Sequence, residues 1–192
     1  MQSRSSYHHG DLPVALVSAA IELLDADGAD ADLSLRAVAR RAGVSTGAPY
    51  RHFADRNALL SAVAAYGYRE LAAVLRAAHP DPRSPADLAD VAVAYVGFAI
   101  ARPGLFRVMF GGVCDMSSAD RVEAVAAIKD YLLDVVGRTI ESDTAEVVAT
   151  GAWALVHGLA FLFLDGKLDA SSSGFVAQTV RSVVTAMLSR SG

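Results

Sequence analysis

Cysteine is almost missing from this chain: Cys114 is the only one in 192 residues. A lone cysteine excludes an internal disulfide framework and a multi-cysteine metal site, and it fits a reducing cytoplasm. Aromatic residues are also scarce at 7%, yet 53% of residues are hydrophobic and the mean hydropathy is +0.34. Alanine, valine and leucine supply that surplus, which suits a helical core and is too apolar for disorder. The segment Met1–Asp11 is polar and lacks an apolar h-region, so no signal peptide is expected. No strand alternation, internal repeat, low-complexity tract or glycine-rich phosphate loop is present. Nor is there a cysteine near a histidine in sequence, a carboxylate pair or metal-ligand spacing, so neither enzyme chemistry nor a metal or cofactor is expected. His8 and His9 are adjacent but have no third ligand nearby.

Basic charge is not in excess either. The net charge of −4 and pI near 5.7 argue, taken globally, against a nucleic-acid partner. Position changes this. Most acids of the first 60 residues, including Glu22, Asp25, Asp27, Asp30 and Asp32, precede a cluster of bases: Arg36, Arg40, Arg41, Arg51 and Arg56. A local basic patch binds phosphates even when the rest of the chain is acidic.

Apolar periodicity and turn chemistry predict about nine helices. Residues 1–10 read as an arm. A first helix opens at Asp11 with Pro13 in its first turn, carries Val14, Val17, Ile21 and Leu24, and stops at Gly28. Ser34 caps a second helix with Leu35, Val38, Ala39 and Ala42 inward, and Gly43 makes the turn. Ser45 caps a short third helix bearing Tyr50, Arg51 and His52. Asp55 caps a fourth, roughly 35 Å long at 1.5 Å per residue, running to about Ala78. Ser84 and Pro85 start a fifth, which Pro103 stops. A sixth ends at Gly111 and Gly112, and a loop runs from Val113 to Ser118. A seventh carries Val122, Val125, Ile128, Leu132, Val135 and Val136. The eighth, from about Asp143 to Leu164, is nearly all apolar, and the ninth follows Ser171, Ser172 and Ser173.

The window from Leu35 to Phe53 has the pattern of a helix-turn-helix: a short helix with small residues inward, a glycine turn, Val44 as a plug, and a second helix with small and polar residues outward. An Ala-Gly-Val turn alone also suits an ordinary helical hairpin. Together, however, Ser34, Leu35, Arg36, Val38, Ala39, Ala42, Gly43, Val44, Ser45, the run Tyr50-Arg51-His52-Phe53, then Asp55, Arg56, Leu59 and Leu60 resemble the DNA-binding domain of the TetR family of regulators. The match spans about residues 8–65. The opening Tyr7-His8-His9-Gly10-Asp11-Leu12, with Trp153, His157 and Gly158, is similar to a subset of that family. Pro49 departs from the pattern, because a proline inside the recognition helix removes a backbone hydrogen bond.

The resemblance implies an all-α fold in two parts: a helix-turn-helix domain with its arm over residues 1–55, and a helical bundle for sensing and dimerisation over 56–192. It also implies a homodimer on a palindromic operator in double-stranded DNA, released by a small, largely apolar effector. The alternative is an all-helical binding protein or enzyme without DNA contact. Tyr50 then points to a phosphate, unless it is a half-buried aromatic; Arg51 reads a guanine or a phosphate, unless it is merely solvated. His52 serves as a backbone contact or a packing residue. Arg56 suits a phosphate at a helix start. Thr46, Gly47 and Ala48 allow close approach to bases; Ser34, Arg36 and Ser45 complete the DNA set, and Arg4 of the arm is a candidate for the minor groove.

Phe98, Phe106, Met109, Phe110, Trp153 and His157 are the candidate ligand residues; taken singly, each of the first five is more often simple core, and His157 reads at least as readily as a core histidine. Cys114 falls in the predicted loop with nothing to mark an activated thiol. The uncharged run of about 18 residues from Val147 to Leu164 reaches the lower edge of a membrane span, but it contains His157 and has no companion, so no membrane is expected. A helix apolar all round must be covered on all sides. Gly151, Ala154 and Gly158 repeat along one stripe of it. With Phe161 and with Val180, Val183, Val184 and Met187 of the ninth helix, they form the candidate dimer face.

Overall fold

The computed structural model describes residues 12–111, 118–140 and 144–188. The expectations for the arm, Asp11, His8, His9, Arg4 and Cys114 lie outside these residues. Among the described residues there are eight α-helices and no strand: α1 (Leu12–Asp27), α2 (Leu35–Arg41), α3 (Arg56–Ala78), α4 (Pro85–Ala101), α5 (Pro103–Phe110), α6 (Ala119–Thr139), α7 (Ala145–Leu164) and α8 (Ser173–Leu188). The expected third helix is instead a single 3-10 turn, Pro49–Arg51.

Local chemistry sets most of the boundaries. Gly28, with φ +63°, stops α1 in a left-handed conformation. The Ser34 side chain accepts the amide hydrogen of Ala37, capping α2. At the other end Gly43 has φ +69°. There the Val44 amide donates to the Ala39 carbonyl and the Gly43 amide to the Arg40 carbonyl, which is a Schellman closure. Asp55 accepts from the Ala58 amide at 2.9 Å to start α3. Ser84 and Asp87 form a reciprocal capping box ahead of α4, with Pro85 at its first position.

One continuous core runs from α1 to α8, with α3 and α4 at its centre. α3 packs most extensively on α6, and α4 on α8. The inward face of α1 is Leu16, Ala20, Ile21 and Leu24. Of the expected face, Ile21 and Leu24 are buried and Val17 is half-buried, but Val14 is 65% exposed, because the partner helices approach from the Leu16 side. Val122 on α6 is likewise exposed.

α4 and α5 meet at a bend of 104°. Pro103 excludes helical geometry at the preceding Arg102, which takes φ −129°, ψ 56°. The bend aims the start of α5 at the end of α1. Arg102 bonds Asp25 at 3.0 Å and Glu70 at 2.7 Å, tying α1, α3 and the bend together. Beside it Gly104 is buried, and a Cβ there would sit 3.0 Å from the carbonyl oxygens of both Leu24 and Gly28. Gly104→Ala is therefore expected to cost about 1–3 kcal/mol by overpacking against backbone. A urea-unfolding midpoint matching that of the unmodified chain would show that α5 does not dock closely on α1.

Candidate nucleic-acid interface and ligand cavity

α2, the glycine turn and the 3-10 turn hold the predicted DNA residues on one small head. Val38 and Ala39 are fully buried, and Phe53 nearly so, which anchors the head to the core. Pro49 is buried at the start of the 3-10 turn. Its missing N–H needs no partner there, and its ring stops an α-helix from beginning further back. The Ser45 carbonyl accepts the Ala48 amide, but no side chain caps the turn, so the expected Ser45 side-chain cap is absent. Continuing i→i+3 bonds, Arg51 to Ala48 and His52 to Pro49, tighten the segment.

This places Tyr50, 53% exposed, on the surface rather than half-buried in the domain. Arg36, Ser45, Thr46, Gly47, Arg51, His52 and Arg56 are exposed as well, and Ala48 is half-buried. Ser34 is half-buried, with its hydroxyl oxygen engaged in capping α2. Arg41 pairs with Glu22 at 2.7 Å, which makes it a brace between α1 and α2. Arg36, Arg40, Arg51 and Arg56 are all exposed. Hydrogen bonds from Ser34 hold the Asp32 carboxyl below its usual value, and the charges of Arg40 and Arg56 add to that effect.

A cavity of about 240 Å³ lies between α3, α4, α6, α7 and α8. Of the six expected ligand residues only Trp153 lines it. Leu75, Leu88, Val91, Ala92, Tyr95, Leu132, Val135 and Val156 form most of the remaining wall. Val184 and Met187, expected at the dimer face, line it too, as does Gly151. Sequence reasoning missed the α4 and α6 contributors, because an apolar residue beside a gap has the same periodicity as one in a filled core. Tyr95, a mid-helix aromatic whose hydroxyl needs a partner, was the available signal.

Phe106 and Met109 are fully buried and Phe98 nearly so, all away from the cavity. Phe106, Phe110 and Phe161 surround the His157 ring, with centroids 5.8, 4.4 and 4.9 Å away. A polar chain links this cluster to the cavity wall. The Trp153 indole donates to the Tyr95 hydroxyl at 3.2 Å, and that hydroxyl lies 3.1 Å from His157 Nδ1. The hydroxyl receives the indole hydrogen on one lone pair and shares a second hydrogen bond with the ring nitrogen.

Burial holds the His157 imidazole below its usual value of 6.5. The folded chain then stays neutral where the unfolded chain takes up a proton, so this contribution to stability is full above about pH 6.5 and is lost as pH falls below it. His157→Gln is expected to show a shallower fall in urea midpoint between about pH 7.5 and 5.5 than the unmodified chain. Equal falls in the two proteins would remove His157 as a cause.

On α7, Val147 is 70% and Leu162 43% exposed, with Gly151, Ala154 and Gly158 open between them. Only 28% of the most apolar 18-residue window of this helix is buried, against 61% for α3, which among the described residues is a second helix long and apolar enough to cross a membrane, contrary to the expectation that α7 has no companion. A Cβ added at Gly151 or Gly158 meets nothing within 4 Å, so among the described residues no helix lies against either glycine. Val180 and Val184 face the chain's own core, Val183 is half-buried, and Phe175 and Met187 are 49% and 56% exposed.

This architecture has known counterparts. Residues 16–63 match the model for bacterial regulatory proteins of the tetR family, and residues 88–187 match that for the tetracyclin repressor-like C-terminal domain. A search of curated proteins returned no match. Among solved structures, a protein of unknown function from Rhodococcus sp. RHA1 is 36% identical, with a TM-score of 0.77 over 95% of this chain and 97% of its own. A tetR-family regulatory protein from Rhodococcus RHA1 is 20% identical, with a TM-score of 0.68 over 91% and 95%. The Bacillus subtilis regulator FadR, solved in complex with stearoyl-CoA, is 12% identical, with a TM-score of 0.68 over 90% and 97%. At those lower identities the likeness is one of fold. With both halves matched, and a DNA head joined to a cavity-bearing helical body, the chain belongs to the TetR family and is a ligand-responsive transcriptional regulator, not an enzyme.

Proposed function

We propose that this regulator is a cytoplasmic repressor that binds a palindromic operator as a homodimer and is released by a small, largely apolar effector. The observation that carries the reading is the course of α3. It starts at the Asp55 cap beside Arg51 and Arg56, and runs unbroken to Leu75 in the cavity wall. A molecule seated against Leu75 acts on the same rigid element that carries the DNA head. To induce, it must bind the DNA-incompetent arrangement more tightly than the competent one.

In this reading residues 1–55 form the DNA-binding domain and residues 56–192 the sensing and dimerisation domain. Tyr50, His52 and Arg56 meet phosphates, Arg51 a guanine edge or a phosphate, and Thr46, Gly47 and Ala48 approach bases. Ser34, Arg36 and Ser45 border this face. The effector site is the cavity at Trp153, with Tyr95 and His157 behind it, rather than the Phe98, Phe106 and Met109 region. The dimer forms through the open stripe Gly151, Ala154 and Gly158, flanked by Phe161, Val183 and Met187. That contact covers the apolar surface which a single chain leaves to water.

Genomic-fragment selection by the purified protein tests the reading. The expected yield is a fragment set sharing an inverted repeat, with half-sites about one helical turn of DNA apart or a multiple of it. Recovery of fragments with no shared symmetric sequence would contradict it.

A further inference from the structure

We propose that the cavity at Trp153 selects an uncharged, compact molecule of about ten non-hydrogen atoms that makes one hydrogen bond with the Tyr95 hydroxyl. This inference rests on the reading of that cavity as the effector site. The size follows from scaling: a cavity of about 150 Å³ holds benzene, and this one is about 240 Å³.

The exclusion of charge follows from the wall. Among the described residues that line the cavity, none is Lys, Arg, His, Asp or Glu. An ionised group placed there would lose its hydration without gaining a partner, which is far more costly than placing a neutral one. The charged side chains around it are engaged elsewhere. Arg181 and Asp90 pair at 2.6 Å across α8 and α4. Lys129 and Glu146 pair at 3.4 Å beside a second cavity that shares only Leu132 and Trp153 with the first. Arg76 lies over the Tyr131 ring at 5.4 Å.

The hydrogen-bond requirement follows from counting valences. Among the described residues, Tyr95 and Trp153 are the only lining residues with nitrogen or oxygen in the side chain. The indole N–H has a single hydrogen, and it goes to Tyr95. The hydroxyl fills one lone pair with that hydrogen and makes a second hydrogen bond with His157 Nδ1, as donor or as acceptor according to the imidazole tautomer. In either case one position on the hydroxyl remains, a lone pair or its proton, and it bonds a neutral polar group on the bound molecule.

Trp153 is the sole tryptophan of the chain, so its emission reports directly on this cavity. The test titrates the full-length protein with three compounds of similar bulk: tert-butylcyclohexanol, tert-butylcyclohexane and tert-butylcyclohexanecarboxylate, at neutral pH. The alcohol should change Trp153 emission saturably. The hydrocarbon should bind about tenfold more weakly, the equivalent of one neutral hydrogen bond. The carboxylate should bind at least about a hundredfold more weakly. Tyr95→Phe should erase the advantage of the alcohol over the hydrocarbon. Ala92→Phe fills the cavity and should abolish binding; Ala152→Leu is a smaller filling that reads the same question if the first variant does not fold. Carboxylate binding as tight as that of the alcohol, but lost on filling, overturns the proposed class and leaves the cavity as the effector site. Equal binding of hydrocarbon and alcohol overturns the hydrogen-bond requirement. No response to any of the three overturns the class. Binding that survives both fillings overturns the class and the location together.

Discussion

Replacing Tyr50 and Arg51 together by alanine is expected to abolish operator binding while leaving the protein folded and dimeric. Both side chains are exposed, so their removal leaves no cavity and strands no buried group; surface changes of this kind move stability by less than about 0.5 kcal/mol. The loss at the DNA is larger. A bidentate arginine contact to a base is worth about 1–3 kcal/mol, and a two-fold dimer loses it twice. The two arginines alone then remove about 2–6 kcal/mol, a weakening of about 30-fold to about 20,000-fold, before the tyrosine–phosphate contacts are included. Fluorescence anisotropy on the selected operator reads the change, and circular dichroism reads the fold. Unchanged affinity in the double variant would remove this face as the DNA contact.

Gly158→Leu carries the second large effect, and the open space around Gly158 makes it a clean experiment. If the glycine packed on its own chain, leucine would overpack the core and lower stability by about 1–3 kcal/mol. Instead a Cβ meets nothing within 4 Å. Leucine is also a better helix former than glycine by roughly 0.5–1 kcal/mol. The monomer is therefore expected to stay folded, with a helix α7 at least as stable as before. What leucine blocks is the approach of a second α7. Sedimentation at micromolar concentration should show monomer, and operator affinity should fall by about two to four orders of magnitude, because one head no longer holds the other near its half-site. A variant that remains dimeric with operator binding intact would place the dimer contact elsewhere.

Legibility from sequence tracked locality. Ser34, Gly43, Asp55 and the Ser84–Asp87 box act within one helical turn, and each forms the predicted boundary. Pro49 is visible in sequence as a disturbance, but the outcome, a 3-10 turn in place of a short α-helix, also depends on the burial of Pro49 itself, which sequence does not state. Exposure of Tyr50 and Arg51 followed from the same local frame. The cavity did not. Whether Val91, Tyr95, Val135 and Val156 touch or leave a gap is set by the spacing of five helices, which no periodicity encodes. The same holds for Val14, which carries the right spacing on α1 but the wrong side of it, and for Val180 and Val184, whose face is settled by α8 packing on α4.

The central claim is that two linked heads read one symmetric site, and a stoichiometric titration tests it most directly. Purified protein is added to the selected operator as a full palindrome and as a single half-site, over a series of salt concentrations. The expected result is two protomers per full palindrome, at least a hundredfold weaker binding to the half-site, and a steep linear fall of log affinity with log salt, as counterions leave the phosphates. One protomer per duplex, with equal affinity for half-site and palindrome, would contradict the account.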